Sequence, residues 1–250
     1  MPDVLSEAFV FERLPFESAQ FGRPVARLVL RGTPGAADAA FGRRLAQEIA
    51  GRKRAGEFLV SCRFPEAQAD AMDAALRDAG FVAVETLVTF ERAIEAPLAP
   101  PEATVAPATP GDVDACVAIG ASAFVYDRFH ADARLPKDRA DALKGAWVRN
   151  DLTARADACF VARREGRVAG FVLCLRHENV AIIDLIAVGR GHQGRGLGRA
   201  LMLAAIAHYA GPGRRMRAGT QQNNRPSTAL YTRLGFAVAA RARTYHWVAA

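Results

Sequence analysis

Residues 179–209 read NVAIIDLIAVGRGHQGRGLGRALMLAAIAHY, and the interpretation of this stretch decides the rest of the chain. Its first ten residues are apolar apart from Asn179 and Asp184, and rich in the β-branched Val180, Ile182, Ile183, Ile186 and Val188, which predicts a buried strand. Gly189 to Gly198 is a glycine-dense turn. After it, Leu197, Leu201, Met202, Ala205, Ile206 and Tyr209 recur at helical spacing. Strand, glycine loop and helix together suit an anion. Glycines let the backbone come close to a ligand, and the first helical turn offers unpaired N–H groups at the positive end of the helix dipole.

Two phosphate-binding patterns overlap in this turn. Gly189-Arg190-Gly191-His192-Gln193-Gly194 is a literal G-x-G-x-x-G, the dinucleotide fingerprint, which calls for an Asp or Glu about 20 residues later to hold a ribose. The chain has no acidic residue anywhere from Leu185 to Ala250. Gln193-Gly194-Arg195-Gly196-Leu197-Gly198 has instead the form Q/R-x-x-G-x-G/A. A second motif follows, Asn224-Arg225-Pro226-Ser227-Thr228-Ala229-Leu230-Tyr231 and then Leu234-Gly235-Phe236.

In these two motifs, in their order and in their separation, the sequence resembles the GNAT superfamily of acyl-CoA-dependent N-acetyltransferases. The resemblance implies an α/β chain of the GNAT type, with a mixed, mostly antiparallel central sheet flanked by helices. It implies acetyl-CoA as cosubstrate, its pyrophosphate against the amides of Gln193, Gly194, Arg195, Gly196, Leu197 and Gly198. Arg199 beside the loop, Ile186, Ala187 and Val188 on the strand, and Asn224 complete the implied cofactor site.

Composition sets the bounds. With 250 residues, half of them hydrophobic and 24% charged, one large or two ordinary globular domains are expected. The opening MPDVLSEAFVFERLPF has no basic leader before an apolar core, and no apolar run reaches bilayer length, so no membrane partner and a cytoplasmic location are expected. Cys62, Cys116, Cys159 and Cys174 show no C-x-x-C pairing, and three of them sit in strand-like runs where a reduced buried thiol is the usual outcome. The five histidines have no metal-ligand spacing, and no metal is expected. The net charge of +7 is uneven: residues 185–250 hold ten arginines, no lysine and no acid, while the remainder carries 23 basic and 26 acidic residues. That asymmetry favours an anionic partner for the C-terminal portion. Without aromatic-basic interleaving, a phosphorylated cofactor explains it better than nucleic acid.

Along the chain, residues 1–98 read as a smaller α/β domain and 103–250 as the GNAT-like one, with the proline-rich linker at Ala96 to Glu102. In the first, strands are expected at Ala8–Arg13, Pro24–Arg31, Phe58–Phe64 and Phe81–Ile94, and helices at Pro34–Arg54 and Pro65–Ala79. In the second, a strand is expected at Ala103–Ala108, helices from Asp112 to Phe124 and Pro136 to Asn150, and a hairpin about Glu165-Gly166. Val125 to Leu135 reads as a loop. ALRDAGFVAVETLVTFER (Ala75–Arg92) looks like a faint copy of ALYTRLGFAVAARARTYHWV (Ala229–Val248), aligning Gly80-Phe81 with Gly235-Phe236 and Leu76 with Tyr231. The front copy has no glycine loop and no tyrosine, and reads as half a GNAT unit without cofactor chemistry.

Acetyl transfer to an amine needs a proton acceptor for the ammonium, a donor for the thioester oxyanion, and a proton for the departing thiolate. By resemblance Tyr231 is the acid, and a backbone N–H near Val188 the oxyanion donor. A phenol is protonated at neutral pH. For the base, Asp184 shares strand parity with Ile182 and Ile186 and so is expected toward the acceptor cleft. Glu178, just before this strand, ranks beside it, ahead of His177, Asp127 and His130. PFESAQFGRPVARLVL and SAFVYDRFHADARLP resemble segments of the bacterial TDP-fucosamine acetyltransferase family, which acts on nucleotide-linked amino sugars. This implies a small-molecule primary amine as acceptor, with Arg128, Phe129 and His130 lining its site. Acetylation of a protein N-terminus or lysine, and a non-catalytic acyl-CoA-binding module, stay open as alternatives, as does a homodimer.

Overall fold

The structure, a computed structural model, describes residues 8–31, 39–98 and 104–249. It divides into two compact units, one of Met1–Leu87, Arg128–Arg139 and Arg241–Ala250, the other of Val88–Asp127 and Ala140–Ala240. Both are interrupted in sequence. This division differs from a cut at the proline-rich stretch, because the segment 128–139 and the last ten residues make their contacts within the first unit. Residues 99–103, most of the expected linker, lie outside the described residues, as do residues 34–38 of the helix expected from Pro34.

The first unit carries strands β1 (Phe9–Arg13), β2 (Val25–Leu30) and β3 (Leu59–Pro65), the outer part of β10 (Ala237–Val248) and the start of β4 (Val82–Ala93). β1 runs antiparallel to β2, β2 parallel to β3, and β3 antiparallel to β10. Helix α1 (Pro15–Phe21), placed by a proline in its first turn and ended by left-handed Gly22, joins β1 to β2. Helices α2 (Ala39–Arg54) and α3 (Glu66–Asp78) bury Phe41, Leu45 and Ile49, and Met72 and Leu76, in a core with Val60, Cys62, Phe64, Tyr245 and Trp247. Phe41, Leu45 and Ile49 thus form the buried stripe of α2. A short helix, α5 (Arg128–Ala131), stands within the stretch expected to be a loop. It is anchored by Phe129, whose ring lies 5.8 Å from Phe21 and 6.0 Å from His246.

The second unit holds the inner part of β4, then β5 (Val105–Pro107), β6 (Ala158–Arg164), β7 (Arg167–His177), β8 (Val180–Val188) and β9 (Arg215–Gln221), in the spatial order β4-β9-β8-β7-β6-β5. β5, β6, β7 and β8 pair antiparallel in succession, whereas β8 and β9 run parallel. The β6–β7 turn is Glu165-Gly166, both at positive φ as a tight two-residue hairpin requires. Helix α7 (Leu197–Tyr209) packs against one face of this sheet and helix α4 (Val113–Ala123) against the other. Helix α6 (Lys137–Asn150) continues into a π-helical turn, Asp151–Arg155, whose Leu152 packs on the α4 side with Val148. Helix α8 (Arg225–Arg233) lies against β9. The mixed sheet flanked by helices is the architecture expected. The C-terminal segment Ala237–Val248 is one long strand.

Both lengths of the suspected repeat adopt the same local geometry. After α3, Gly80 N–H donates to Arg77 and Phe81 N–H to Leu76, with Gly80 at φ 86°. After α8, Gly235 N–H donates to Thr232 and Phe236 N–H to Tyr231, with Gly235 at φ 78°. These are glycine-ended helices that turn sharply into a strand.

Candidate functional site

The site grows from a fault in one strand pair. β8 and β9 are paired from Val180–Arg215 to Ile183–Ala218, and no further. Beyond that point Asp184 to Val188 and Gly219 to Gln221 remain strands but are no longer partners. On its other side β8 carries a bulge: Ile183 faces Cys174 and Leu185 faces Leu173, leaving Asp184 as an extra residue. The bulge reverses which face each side chain meets. Ala181 and Ile183 join the core under α7, Leu185 and Ala187 join the core under α4, and Ile186 and Val188 return to the α7 side.

The parallel strands, opened in this way, lead into a cleft of about 870 Å³. Ile186, Ala187 and Val188 line it from β8; Gln193, Gly194 and the segment Gly196 to Arg199 line it from the loop and the first turn of α7. Gln221 and Asn224 stand opposite, with Leu230 and Leu234 of the α8 segment. Phe124 to Asp127 complete the wall. Gly194 and Gly196 lie at φ 72° and 80°, the left-handed region, and a methyl group added at either would meet nothing within 4 Å. Their glycine identity therefore serves backbone conformation, and the loop's surface stays open to a ligand. The expected cofactor residues are thus gathered at one place, except Arg195, whose exposed side chain is not part of the lining.

Local bonds hold the loop. Gln193 donates its side-chain amide to the Val188 carbonyl at 3.0 Å, and Arg190 donates to the Ser122 carbonyl at 3.2 Å. Gly196 caps α7 without a side chain, so the amides of its first turn have no helical partner, the arrangement that favours an anion. Asn224 accepts from Ser227 N–H at 3.2 Å, capping α8, so its side-chain oxygen already has a structural task. The arginine excess divides as well. Arg190, Arg199 and Arg233 line the cleft, while Arg215 and Arg217 both hold Glu91, at 3.2 and 2.5 Å.

The expected catalytic residues fall in different settings. Tyr231 is 2% exposed, its ring 5.5 Å from Phe90 and 6.0 Å from Phe236, between helix neighbours Leu230 and Leu234 that line the cleft. Burial raises its hydroxyl pKa above the ordinary value, which keeps it a proton donor. Asp184 sits at the bulge. Because of the extra residue it does not share a face with Ile186, as simple alternation predicted; it turns to the α6 side, where Arg155 binds both Asp184 and Asp151. Its pKa is pushed up to about 6, first by burial and then by the hydrogen bond and charge of Asp151, against the opposing charges of Arg155 and Lys144. Neither Asp184 nor Tyr231 is itself part of the cleft lining.

Glu178 is a correction. It occupies the exposed β7–β8 turn at φ 51°, at the end of β8 opposite to the glycine loop. At about 3.3 Å per residue, it lies roughly 30 Å from Val188 along the strand. No proton of a reaction in the cleft reaches it. Arg128, Phe129 and His130 belong to the first unit and are absent from the cleft lining; Phe129, 2% exposed, is a core residue there. Asp127, named only as a secondary candidate, does line the cleft and pairs with Lys144 at 3.8 Å. Lys144 is 5% exposed and stands over the rings of Phe124 and Trp147. Asp151, Arg155 and Lys144 carried no motif, and only their proximity to Asp184 marks them.

Cys62, Cys116 and Cys174 are buried, Cys159 is half-buried, and burial raises the pKa of all four, to about 12 for Cys116 and about 11 for Cys159. None has the low pKa of a nucleophilic thiolate. Among the described residues no helix is long and apolar enough to cross a membrane.

Comparison with known proteins bears on the same segment. Residues 123–236 match the model of the Acetyltransferase (GNAT) family. The spore coat polysaccharide biosynthesis protein SpsD of Bacillus subtilis is 32% identical over 148 residues, 59% of this chain and 51% of that protein. A mycothiol acetyltransferase of Amycolatopsis mediterranei is 32% identical over 135 residues, 50% of this chain and 42% of that protein. The chain thus spans about half the length of the curated relatives it matches. Among solved structures, a GCN5-related N-acetyltransferase from Sphaerobacter thermophilus superposes with a TM-score of 0.66 at 17% identity, over 96% of this chain and 76% of that one. A tandem GNAT protein from the clavulanic acid biosynthesis pathway gives 0.56 at 18% identity, over 92% and 76%. At such identities the likeness speaks for the fold. The opened strand pair and the glycine loop both fall within the segment 123–236 that matches the GNAT acetyltransferase family model.

Proposed function

We propose that this chain transfers the acetyl group of acetyl-CoA to a primary amine of a small molecule, with a nucleotide-linked amino sugar as the favoured acceptor class. The observation that carries this reading is the cleft where β8 and β9 part, walled by left-handed Gly194 and Gly196 and by the open N-terminus of α7. A pyrophosphate fits amides presented there, and Arg199 and Arg233 add positive charge. The acyl carbonyl then meets backbone N–H groups of β8 that have lost their β9 partners, an oxyanion donor that needs no reorganisation.

The reaction follows directly. Asp184 takes a proton from the acceptor ammonium, in contact or through one water. The neutral amine attacks the thioester carbonyl, and the C–N bond forms as the C–S bond breaks. The thiolate takes a proton from the Tyr231 hydroxyl, which recovers one, through solvent, from the surplus proton of the amide nitrogen, and Asp184 then returns its proton to solvent. Both reactants are held at once, so no acetylated enzyme intermediate is needed. The amino-sugar preference rests on the similarity to a protein named for polysaccharide biosynthesis.

The test is a panel of amines with acetyl-CoA, read by thiol release: nucleotide-linked amino sugars, free amino sugars, polyamines and peptides. Turnover is expected with an amino sugar and abolished acceptor-dependent release with none present. Activity confined to peptides overturns the small-molecule reading, and thiol release from no acceptor overturns the enzymatic one.

A further inference from the structure

We propose that Asp151, in the π-helical turn after α6, is a positioning residue for this reaction: held by Arg155 beside Asp184, it is the acceptor to which Asp184 donates once it has taken the substrate proton. The inference rests on the acetyl-transfer reading above and adds a residue that belongs to no motif.

Four observations carry it. Asp151 is 1% exposed, and its Oδ2 is buried with no hydrogen-bond partner. A buried carboxylate oxygen without a donor is costly, so the position calls for a proton donor close by. Arg155 joins the two acids, its Nε to Asp151 Oδ1 at 2.7 Å and an Nη to Asp184. The two carboxyls thus share one guanidinium, and the charge of Asp151 acts on Asp184. The backbone is irregular on both sides of this contact: a π-helical turn aims Asp151 and a bulge aims Asp184, at the point where β8 parts from β9. Such irregularities re-aim side chains beside active sites.

The proton balance is simple. With both carboxyls ionised, one guanidinium faces two negative charges and Asp151 Oδ2 lacks a donor. When an ammonium N–H breaks and an Asp184 O–H forms, that O–H donates to Asp151 Oδ2. The substrate loses its positive charge, Asp184 its negative one, and the orphaned oxygen gains a partner. Other groups facing the pair are Lys144 of α6, which favours ionised Asp184, Cys159 of β6 beside Asp151, and Cys174 of β7. Both thiols are neutral at the working pH, since burial raises them.

The experiment is the pH profile of kcat/KM for the parent, Asp151→Asn and Asp184→Asn, together with a carboxyl 13C titration of the parent in which the Asp184 signal is assigned by its loss in Asp184→Asn. The parent is expected to show an acidic limb near pH 6. Asp151→Asn is expected to move that limb down by a pH unit or more and to lower kcat at least tenfold, and Asp184→Asn to remove it. A limb unmoved in Asp151→Asn, with activity reduced equally at every pH, overturns the proposal in favour of a purely structural role. If Asp151→Asn does not fold, the titration decides: an Asp184 midpoint near 6 supports the pairing, and one below about 4 overturns it. The titration needs no turnover, so it fails separately from the acetyl-transfer reading, which falls if the parent acetylates no amine.

Discussion

The helix–glycine–strand segments of the two units, α3 into β4 and α8 into β10, differ where it matters. Both end their helix with a left-handed glycine and the same pair of backbone bonds. At the position where α8 has Tyr231, α3 has Leu76, fully buried between helix and sheet. In the first unit the parallel strands β2 and β3 also part, after Arg27–Ser61, but the sequence that follows β2 carries no Q/R-x-x-G-x-G/A motif. One local scaffold thus serves two ends. On the proposed reading, what separates them is one hydroxyl and one loop, as expected where function resides in grafted sites rather than in a fold.

The sharpest way to break this comparison is Tyr231→Phe. If the hydroxyl is the acid, kcat falls about 100-fold or more with little change in melting temperature, since the ring stays. Undiminished turnover would mean that Tyr231 only packs, as Leu76 does. Its counterpart, Leu76→Ala, is expected to cost about 2–5 kcal/mol of stability through the cavity it leaves, measurable by urea unfolding. The folded fraction should keep its kcat. A Leu76 variant that loses turnover in proportion to no loss of folded protein would join the first unit to the chemistry.

The paired glycines give a smaller effect. Gly80→Ala forces a side chain into φ 86° and brings its Cβ to 3.3 Å from the Trp247 ring, so a loss of about 1–2 kcal/mol is expected, with unchanged acetyl-CoA affinity. Gly196→Ala imposes similar backbone strain at φ 80° but in open space, and there the larger change should be in acetyl-CoA binding, by about tenfold. Calorimetry on both variants separates strain from recognition.

Titration should distinguish the units by sign. In the first, His246 is fully buried and donates from Nδ1 to the Asp132 carboxylate at 3.0 Å, and burial holds its pKa below the ordinary value despite that partner. The unfolded chain then binds a proton that the folded one refuses, so this group lowers stability as pH falls through about 6.5. Asp132 is held below the carboxylate range, after opposing burial, by bonds from His246 and Arg134; its stabilisation is present above the unfolded pKa and lost as pH falls through the folded one. In the second unit Asp184 acts oppositely. Its folded pKa of about 6 exceeds the unfolded value, so folding is penalised progressively as pH rises from about 4 to 6. The melting temperature of Asp184→Asn relative to the parent should be more favourable at pH 7.5 than at pH 4. The reverse order would contradict the raised pKa. Smallest of all, Glu12→Gln should change stability by less than about 1 kcal/mol, because its pair with Arg27 is about half exposed on both sides.

Much of this was legible along the chain. β-branched runs mark the strands, the turn residues Glu165-Gly166 and Gly235 mark where the chain reverses or a helix stops, and the glycine spacing from Gln193 to Gly198 marks the loop. These depend on neighbours in sequence, through dihedral preference and periodic burial. Glu178 shows where adjacency misleads: one residue from β8, it is nevertheless at the wrong end of the strand, a question of direction that nearness in sequence does not answer. Asp184 shows the limit of periodicity, since one unpaired residue in β8 reverses every later side chain, and a bulge is decided by how β7 and β9 share the strand. Asp151 left no trace at all, because its meaning lies in a carboxyl 33 positions away. Local order along the chain was enough for most of the elements and for the loop. The tertiary structure alone decided which acid meets which, because burial and charge act through space and the chain brings distant residues together only after it has folded.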